Sequence, residues 1–157
     1  MNNLILSLVA GLGATLAIGV LSYAEVSLTE VVLLMAPFGA TAVLVFGVPS
    51  SPLAQPKNVI IGHFITASIG IAFSQYVEIT PITLAIATGL GVSAMLITRT
   101  THPPAGANPI LIMASGQGWS FLFTPVLIGA VVIVLVGKAL QLLQSQYLNP
   151  RLNDQKT

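Results

Sequence analysis

Two short strings in this sequence combine a helix-initiating proline with glycine, alanine and a polar side chain. Residues 37–44 read Pro-Phe-Gly-Ala-Thr-Ala-Val-Leu and residues 104–111 read Pro-Ala-Gly-Ala-Asn-Pro-Ile-Leu. A proline in the first turn of a helix costs no hydrogen bond, and the small residues after it leave the backbone amides open to approach. Those amides and the positive end of the helix dipole suit an anion. The strings therefore predict two anion-binding helix ends, formed by Gly39, Ala40, Thr41, Gly106, Ala107 and Asn108.

Three further side chains are candidates for anion contact. His102 directly precedes Pro103, and its imidazole could donate to an anion or gate passage by protonation at about pH 6.5. His63 lies inside an apolar segment, where a titratable residue is a functional candidate by default. Arg99, together with Lys57, could concentrate anions at a vestibule by simple attraction.

Each candidate also has a purely structural interpretation. Pro-Gly-Ala strings permit kinked and tightly packed helices without binding anything. The two histidines could make an interhelical hydrogen bond or anchor the break, and the two basic residues could fix the topology. Thr41 and Asn108 could cap local backbone. The presence of a second copy of the string favours a binding site over packing alone.

Composition places the chain in a bilayer. Of its 157 residues 55% are hydrophobic and only 6% are charged, and the net charge is +1. Nine charges cannot cover a soluble domain of this size, and no basic face is present for a nucleic acid. The chain has no cysteine, which excludes thiolate metal sites and disulfides, and two histidines supply few ligands for haem or zinc. No metal and no cofactor are expected.

Apolar runs predict an all-α integral membrane protein. Five segments approach the roughly 20 residues that span a bilayer, and a sixth apolar piece, residues 103–115, is too short to span alone and predicts a broken or re-entrant helix. A cleavable signal would need a basic start and a shorter core, so the first segment is read as a transmembrane helix. The five longer segments cover residues 3–23, 30–48, 58–77, 80–98 and 119–143.

Matching positions suggest an internal repeat within one transmembrane domain, residues 1–143. Residues 59–62 match 126–129 at the same offset that relates the two strings. The repeat units would be about 3–77 and 80–143, and residues 144–157 would form a polar tail that frays. If the short element crosses, the basic residues Lys57, Arg99, Arg151 and Lys156 face the cytoplasm and the acidic residues Glu25, Glu30 and Glu78 face the other side. This predicts six crossings as a 3+3 inverted repeat.

The strings also resemble a known family. Residues 36–40 (Ala-Pro-Phe-Gly-Ala), 51–63 (Ser-Pro-Leu-Ala-Gln-Pro-Lys-Asn-Val-Ile-Ile-Gly-His) and 101–107 (Thr-His-Pro-Pro-Ala-Gly-Ala) look like the HPP family of integral membrane proteins. The resemblance implies a transmembrane protein linked to nitrite transport in cyanobacteria and chloroplasts. Two departures are Lys57, where the family more often has Arg, and Ile61, where it more often has Gly.

These observations predict a channel or transporter for a small monovalent anion, with nitrite the first candidate. A chain this small can hardly enclose a wide vestibule, so a homo-oligomer in a bacterial plasma (inner) membrane is expected. The alternatives are a scaffold or regulatory binding subunit without transport and, less favoured, an intramembrane enzyme. The sequence has no acidic residue inside a span and no Ser/His/Asp set, and both absences count against the enzyme.

Overall fold

A computed structural model describes residues 3–28 and 31–148, and every regular element in those ranges is helical. The all-α prediction is therefore confirmed. Short 3₁₀ turns, Pro52–Ala54 and Pro103–Ala107, and π-helical stretches join or extend the helices. The α-helices are α1 (Asn3–Ser27), α2 (Pro37–Ala42), α3 (Pro56–Tyr76), α4 (Pro81–Ile97), α5 (Asn108–Ser115) and α6 (Ile128–Leu143).

Within residues 3–28 and 31–148, three helices are long and apolar enough to cross a membrane, and two apolar helices are shorter. The long ones are Asn3–Ser27, Pro56–Tyr76 and Leu122–Gln146; the shorter ones are Pro37–Gly47 and Pro81–Ile97. The predicted segments 3–23, 58–77 and 80–98 agree with α1, α3 and α4 within a few residues. Thr80 ends the turn before α4 with a capping box, its hydroxyl accepting from the Thr83 amide at 3.1 Å.

The predicted helix over residues 30–48 is wrong in its first third. Residues 31–35 have no helical structure, and regular helix begins only at Pro37. A proline ring clashes with the carbonyl four residues earlier, so a helix entering from residue 30 could not pass through Pro37. The amides of Leu33 and Leu34 instead donate to the Glu25 carboxylate, both at 2.8 Å.

The last predicted segment, residues 119–143, is also interrupted. Leu122–Leu127 is π-helical, and Thr124 inside it has φ −128° and ψ 115°, which is not helical. Regular α-helix resumes at Ile128 and runs to Leu143, where a π-helical turn continues it to Leu148. The first five residues of the predicted polar tail are therefore helical, and residues 149–157, with Arg151 and Lys156, lie outside the described part of the chain.

The short element at residues 103–115 belongs to a segment that runs the full length of α3. At one end the Asn58 side-chain amide donates to the Thr101 carbonyl at 2.9 Å. At the other end the Gln75 side-chain amide donates to the Gln117 carbonyl at 3.3 Å. The 21 residues of α3 rise about 31 Å, so the chain crosses the bundle between these contacts and does not return to its starting side.

The segment that contains the first string also runs along a long helix, α1. Leu33 lies level with Glu25 near the end of α1, and Phe46 lies level with Gly13, where an added methyl group would meet its ring at 2.6 Å. Residues 33–46 therefore run antiparallel to α1 over most of its length. Each of the two strings forms a half-helix, and we use this term for Pro37–Gly47 and for residues 103–115.

Two glycines bring corresponding positions of the two predicted repeat units into reciprocal contact. A Cβ atom at Gly62 would meet the Thr100 carbonyl at 2.9 Å, and one at Gly129 would meet the Leu33 carbonyl at 3.2 Å. Gly62 and Gly129 are related by the offset that relates the two strings, and so are Leu33 and Thr100. Each unit thus packs its last helix against the entry to the half-helix of the other unit.

The crossing of residues 101–117 predicts opposite accessibility for its two ends. The chain has no cysteine, so Gln117→Cys and Lys57→Cys are single-cysteine proteins without further changes. In oriented vesicles or intact cells, we expect a membrane-impermeant maleimide to label the two variants from opposite sides. Labelling of both positions from one side would contradict the crossing.

Candidate functional site

Four of the nine predicted site residues meet in the middle of the bundle. Thr41, His63, His102 and Asn108 are all fully buried, at 0% exposure. Thr66, which is also fully buried, joins them. We call these five residues the buried polar cluster.

Four features of the fold position the five members of the cluster. Thr41 is carried by the first half-helix, and Asn108 begins α5 in the second. His63 and Thr66 stand one turn apart on α3, facing the same side. His102 reaches the cluster because Gly62 has no side chain; a Cβ atom there would lie 3.0 Å from that of His102.

Asn108 ties α5 to α3 through its side-chain amide. Its Nδ2 lies 3.0 Å from Nδ1 of His63, 3.2 Å from the His63 carbonyl oxygen and 3.0 Å from Oγ1 of Thr66. Thr66 in turn donates to the Gly62 carbonyl at 2.9 Å. These hydrogen bonds from one amide group fasten the start of α5 to α3.

Thr41 links the two imidazoles. Its hydroxyl oxygen lies 2.9 Å from Nε2 of His63 and 3.0 Å from Nε2 of His102. The same hydroxyl reaches the Pro37 carbonyl oxygen at 3.2 Å. The centroids of the two imidazole rings are 5.0 Å apart in an edge-to-face arrangement.

The two histidines also contact groups outside the cluster, a backbone carbonyl and an aromatic ring. Nδ1 of His102 donates to the Leu53 carbonyl oxygen at 2.8 Å. The Phe38 ring packs edge-to-face against His63, with centroids 5.4 Å apart. Oδ1 of Asn108 is buried and is one of two buried side-chain polar atoms without a hydrogen-bond partner among the described residues. It is therefore the natural attachment point for a donor that enters the cluster.

The cluster contains hydroxyl, amide and imidazole groups but no carboxylate. Buried polar and titratable groups are expensive inside a membrane protein and mark functional sites. Such a set can coordinate a small polar solute or relay a proton. In the described ranges, no group of three or more His, Cys, Asp and Glu residues could hold a metal ion.

The other predicted residues lie outside the cluster. Gly39, Ala40 and Ala107 are exposed on the outer side of the half-helices, and Gly106 is half-buried. Arg99 is exposed at the end of α4, with a positive φ of 54°. The five are therefore not brought together with the histidines.

The first-turn amides of the half-helices are already engaged in tight turns. The Phe38 amide donates to the Met35 carbonyl at 3.0 Å and the Gly39 amide to the Ala36 carbonyl at 3.1 Å. In the second half-helix the Ala105 amide donates to the His102 carbonyl at 2.9 Å. An anion would gain less from these backbone groups than the sequence suggests, and side chains become the main donors.

Where the half-helices meet, their outer sides line an open apolar groove of about 410 Å³. Ala40 and Ala107 face it, as do Pro37 and Pro104, and these two pairs are equivalent positions in the two strings. The polar cluster and the groove thus occupy opposite sides of the same junction.

Two contributors to the cluster were missed from the sequence. Thr66 follows His63 by one helical turn within an apolar run, and this same-face spacing was an available signal. The Leu53 carbonyl carries no such signal, because a backbone acceptor from a separate 3₁₀ turn is set by tertiary packing alone.

Comparison with known proteins places these residues in a family. Residues 2–148 match the family model described as HPP, transmembrane region. One curated relative, "Transmembrane protein DDB_G0269096" from Dictyostelium discoideum, is 36% identical over 128 residues, which cover 76% of this chain and 45% of the relative. "Transmembrane protein DDB_G0273707/DDB_G0273361" from the same organism is 34% identical over 128 residues, which cover 76% of this chain and 41% of that protein.

The chain thus spans less than half the length of the curated relatives it matches. No solved structure matches it significantly. The relatives are eukaryotic transmembrane proteins, so an integral membrane protein is supported and the predicted bacterial plasma membrane stays a prediction.

Proposed function

This chain belongs to the HPP transmembrane family, and we propose that it transports a small monovalent anion, with nitrite the first candidate. The observation that carries the proposal is the buried polar cluster at the junction of two half-helices. Broken helices that meet inside the bilayer are the usual binding elements of secondary transporters. The resemblance of the motifs to a nitrite-linked family supplies the first choice of anion.

The chemistry of the cluster favours an anion over a cation. No carboxylate lies among Thr41, His63, His102 and Asn108. Their O–H and N–H donors now bond to one another and to backbone carbonyls, and in this proposal they turn to an anion that enters. In this proposal these four side chains contact the ion. The backbone of Gly39, Ala40, Gly106 and Ala107 contributes the partial positive charge of the helix ends.

Two basic residues lie at one end of the helix bundle. Lys57 lies in the first turn of α3 and Arg99 follows α4, and the Asn58–Thr101 hydrogen bond places these helix ends side by side. Both side chains are exposed and could raise the local anion concentration. Glu25 and Glu78 lie near the opposite end of α1 and α3. The positive-inside rule makes the basic end cytoplasmic in this proposal.

An inverted repeat would give the site two equivalent halves. The reciprocal pairs Gly62–Thr100 and Gly129–Leu33 support a pseudo-two-fold relation between the units. In transporters of this kind, one half moves against the other around a fixed central site. The exposed apolar groove between the half-helices supports a homo-oligomer as part of the same proposal.

A scaffold or binding subunit is the second candidate. Within the cluster only Oδ1 of Asn108 lacks a partner, and a nearly satisfied network is also what a purely structural core needs. On this alternative the cluster holds the half-helices for assembly and passes no solute.

Anion flux into liposomes separates the two candidates. Purified protein should accelerate uptake of nitrite over empty liposomes, with nitrate, formate and chloride as competitors. Thr41→Val removes the central hydroxyl with little change of volume and should lower uptake at least tenfold, whereas Thr41→Ser should retain it. Uptake no faster than in empty liposomes for all four anions would overturn transport and favour the scaffold.

A further inference from the structure

The directions of the hydrogen bonds in the buried polar cluster can be assigned from its two ends. The Leu53 carbonyl only accepts, so Nδ1 of His102 carries a hydrogen. Nδ2 of Asn108 faces the His63 carbonyl oxygen, which fixes that atom as the amide nitrogen and a donor. Nδ1 of His63 must therefore accept, and the hydrogen of its neutral ring lies on Nε2.

The directions of the two hydrogen bonds in the middle of the cluster follow from these assignments when both rings are neutral. Nε2 of His63 donates to Thr41, and the Thr41 hydroxyl donates to Nε2 of His102. Every donor from Asn108 to the Leu53 carbonyl points the same way. With both imidazoles neutral, this order places their hydrogens on different nitrogens, Nε2 of His63 and Nδ1 of His102.

This arrangement leaves one nitrogen that can gain a proton without breaking the network. If Nε2 of His102 is protonated, it donates to Thr41, whose own hydrogen turns to the Pro37 carbonyl oxygen already at 3.2 Å. If Nδ1 of His63 is protonated instead, its hydrogen points at the amide hydrogens of Asn108. That amide cannot flip without placing its oxygen against the His63 carbonyl.

Among the residues that the structure describes, no charged side chain contacts His102 and could compensate a proton there. The elements packed against it present Thr41, Gly62, His63 and the Leu53 carbonyl. Of these only His63 is titratable. Among the described charged residues, Lys57 and Arg99 are exposed at the near end of the bundle, and both are basic. A buried positive charge without a partner is costly, and a monovalent anion in contact with it removes the cost.

We propose that His102 takes up one proton for each anion that enters the cluster, so that transport is electroneutral proton–anion symport. This inference rests on the proposed transport function. The proton leaves a hydronium ion on the entry side as the N–H bond forms at Nε2 of His102. On exit that bond breaks and the proton passes to water with the anion.

The proton site can be tested without any variant. The chain contains only two histidines, so ¹⁵N-imidazole NMR of the whole protein, without a histidine tag, gives two ring spectra. Near neutral pH one ring should carry its hydrogen on Nε2 and the other on Nδ1. On acidification the ring with hydrogen on Nδ1, His102, should gain the second hydrogen first. Identical tautomers, or first protonation of His63, would overturn the proposal.

Coupling to the anion is read from the same spectra. At fixed pH, added nitrite or nitrate should raise the protonated fraction of His102. Linkage sets the size of this effect. Once the anion concentration exceeds the dissociation constant of the protonated protein, each tenfold rise in anion should raise the ratio of protonated to neutral ring about tenfold. A protonated fraction that does not respond to anion overturns the symport, even if His102 protonates first.

Flux experiments distinguish failure of symport from failure of transport. With protein in liposomes, a pH-sensitive dye should report one proton entering per nitrate, without response to an imposed membrane potential. Nitrate is the better probe here, because nitrous acid leaks across lipid as the neutral acid. His102→Gln should lower pH-driven uptake at least tenfold. Uptake that moves charge without protons overturns symport and leaves transport standing, whereas absence of any uptake overturns both.

Discussion

Replacing Asn108 with leucine should abolish anion uptake and weaken the attachment of the second half-helix. The Asn108 amide is the contact from α5 to Nδ1 of His63, the His63 carbonyl and the Thr66 hydroxyl. Leucine has a similar volume but offers no donor, so Nδ1 of His63 loses its partner. The His63 carbonyl and the Thr66 hydroxyl lose one of their hydrogen bonds but keep others. Each buried group left unsatisfied costs about 1–3 kcal/mol. Loss of Nδ1 hydrogen bonding also frees His63 to change tautomer, which would reverse the donor order that positions Thr41.

The measurements are anion uptake into liposomes and thermal unfolding of the purified protein. We expect uptake to fall at least a hundredfold and the unfolding temperature to drop by several degrees, since about 1 kcal/mol corresponds to roughly 2–4 °C for a chain of this size. Gln75→Leu is the matched control, because Gln75 also donates one side-chain amide to a carbonyl, at Gln117, but is at the end of α3. The control should retain most uptake.

Uptake by Asn108→Leu that matches the wild type would contradict a role of the cluster in transport. A fall in stability alone, with uptake per folded protein unchanged, would show that the amide is a packing element. The two readouts together therefore separate the chemical role of Asn108 from its structural role.

Hydropathy predicted the long helices well because their signal is local. α1, α3 and α4 are continuous apolar runs, and their bounds agree with the sequence within a few residues. α1 contains no proline, and the prolines of α3 and α4 are their first residues. The helix predicted over residues 30–48 was too long because the apolar run continues upstream of Pro37, whereas the helix begins at that proline. The attachment of Leu33 and Leu34 to Glu25 was not predictable, because it depends on where α1 ends in three dimensions.

The polar side chains of the site could be predicted from the sequence, but the orientation of the half-helices that carry them could not. Polar side chains next to helix breaks are visible in sequence, and Thr41, His63, His102 and Asn108 do meet. The side of the half-helix that faces inward was not visible. Thr41 points toward α3 while Gly39 and Ala40 point outward, because the rotation of a short helix is set by the packing of Phe38 and not by hydropathy.

The proposed repeat makes a second strong prediction, that Gly62→Ala and Gly129→Ala have matched effects. A methyl group at Gly62 would press on the Thr100 carbonyl and on His102, and one at Gly129 would press on Phe38 and the Leu33 carbonyl. Both clashes involve backbone of the other unit, which cannot move away as a flexible side chain could. Overpacking of this kind costs about 1–3 kcal/mol. We expect both variants to lose several degrees of unfolding temperature and at least tenfold in anion uptake.

Gly89→Ala is the control, because Gly89 lies within α4 and a methyl group there would meet nothing within 4 Å. Alanine favours helix over glycine by up to about 1 kcal/mol, so this control should be neutral or slightly more stable. The pair tests more than packing, since Gly129 touches the cluster only through Phe38, which packs on His63. If Gly129→Ala keeps full uptake while Gly62→Ala loses it, the two units do not contribute equally to the site, and the pseudo-two-fold mechanism is wrong.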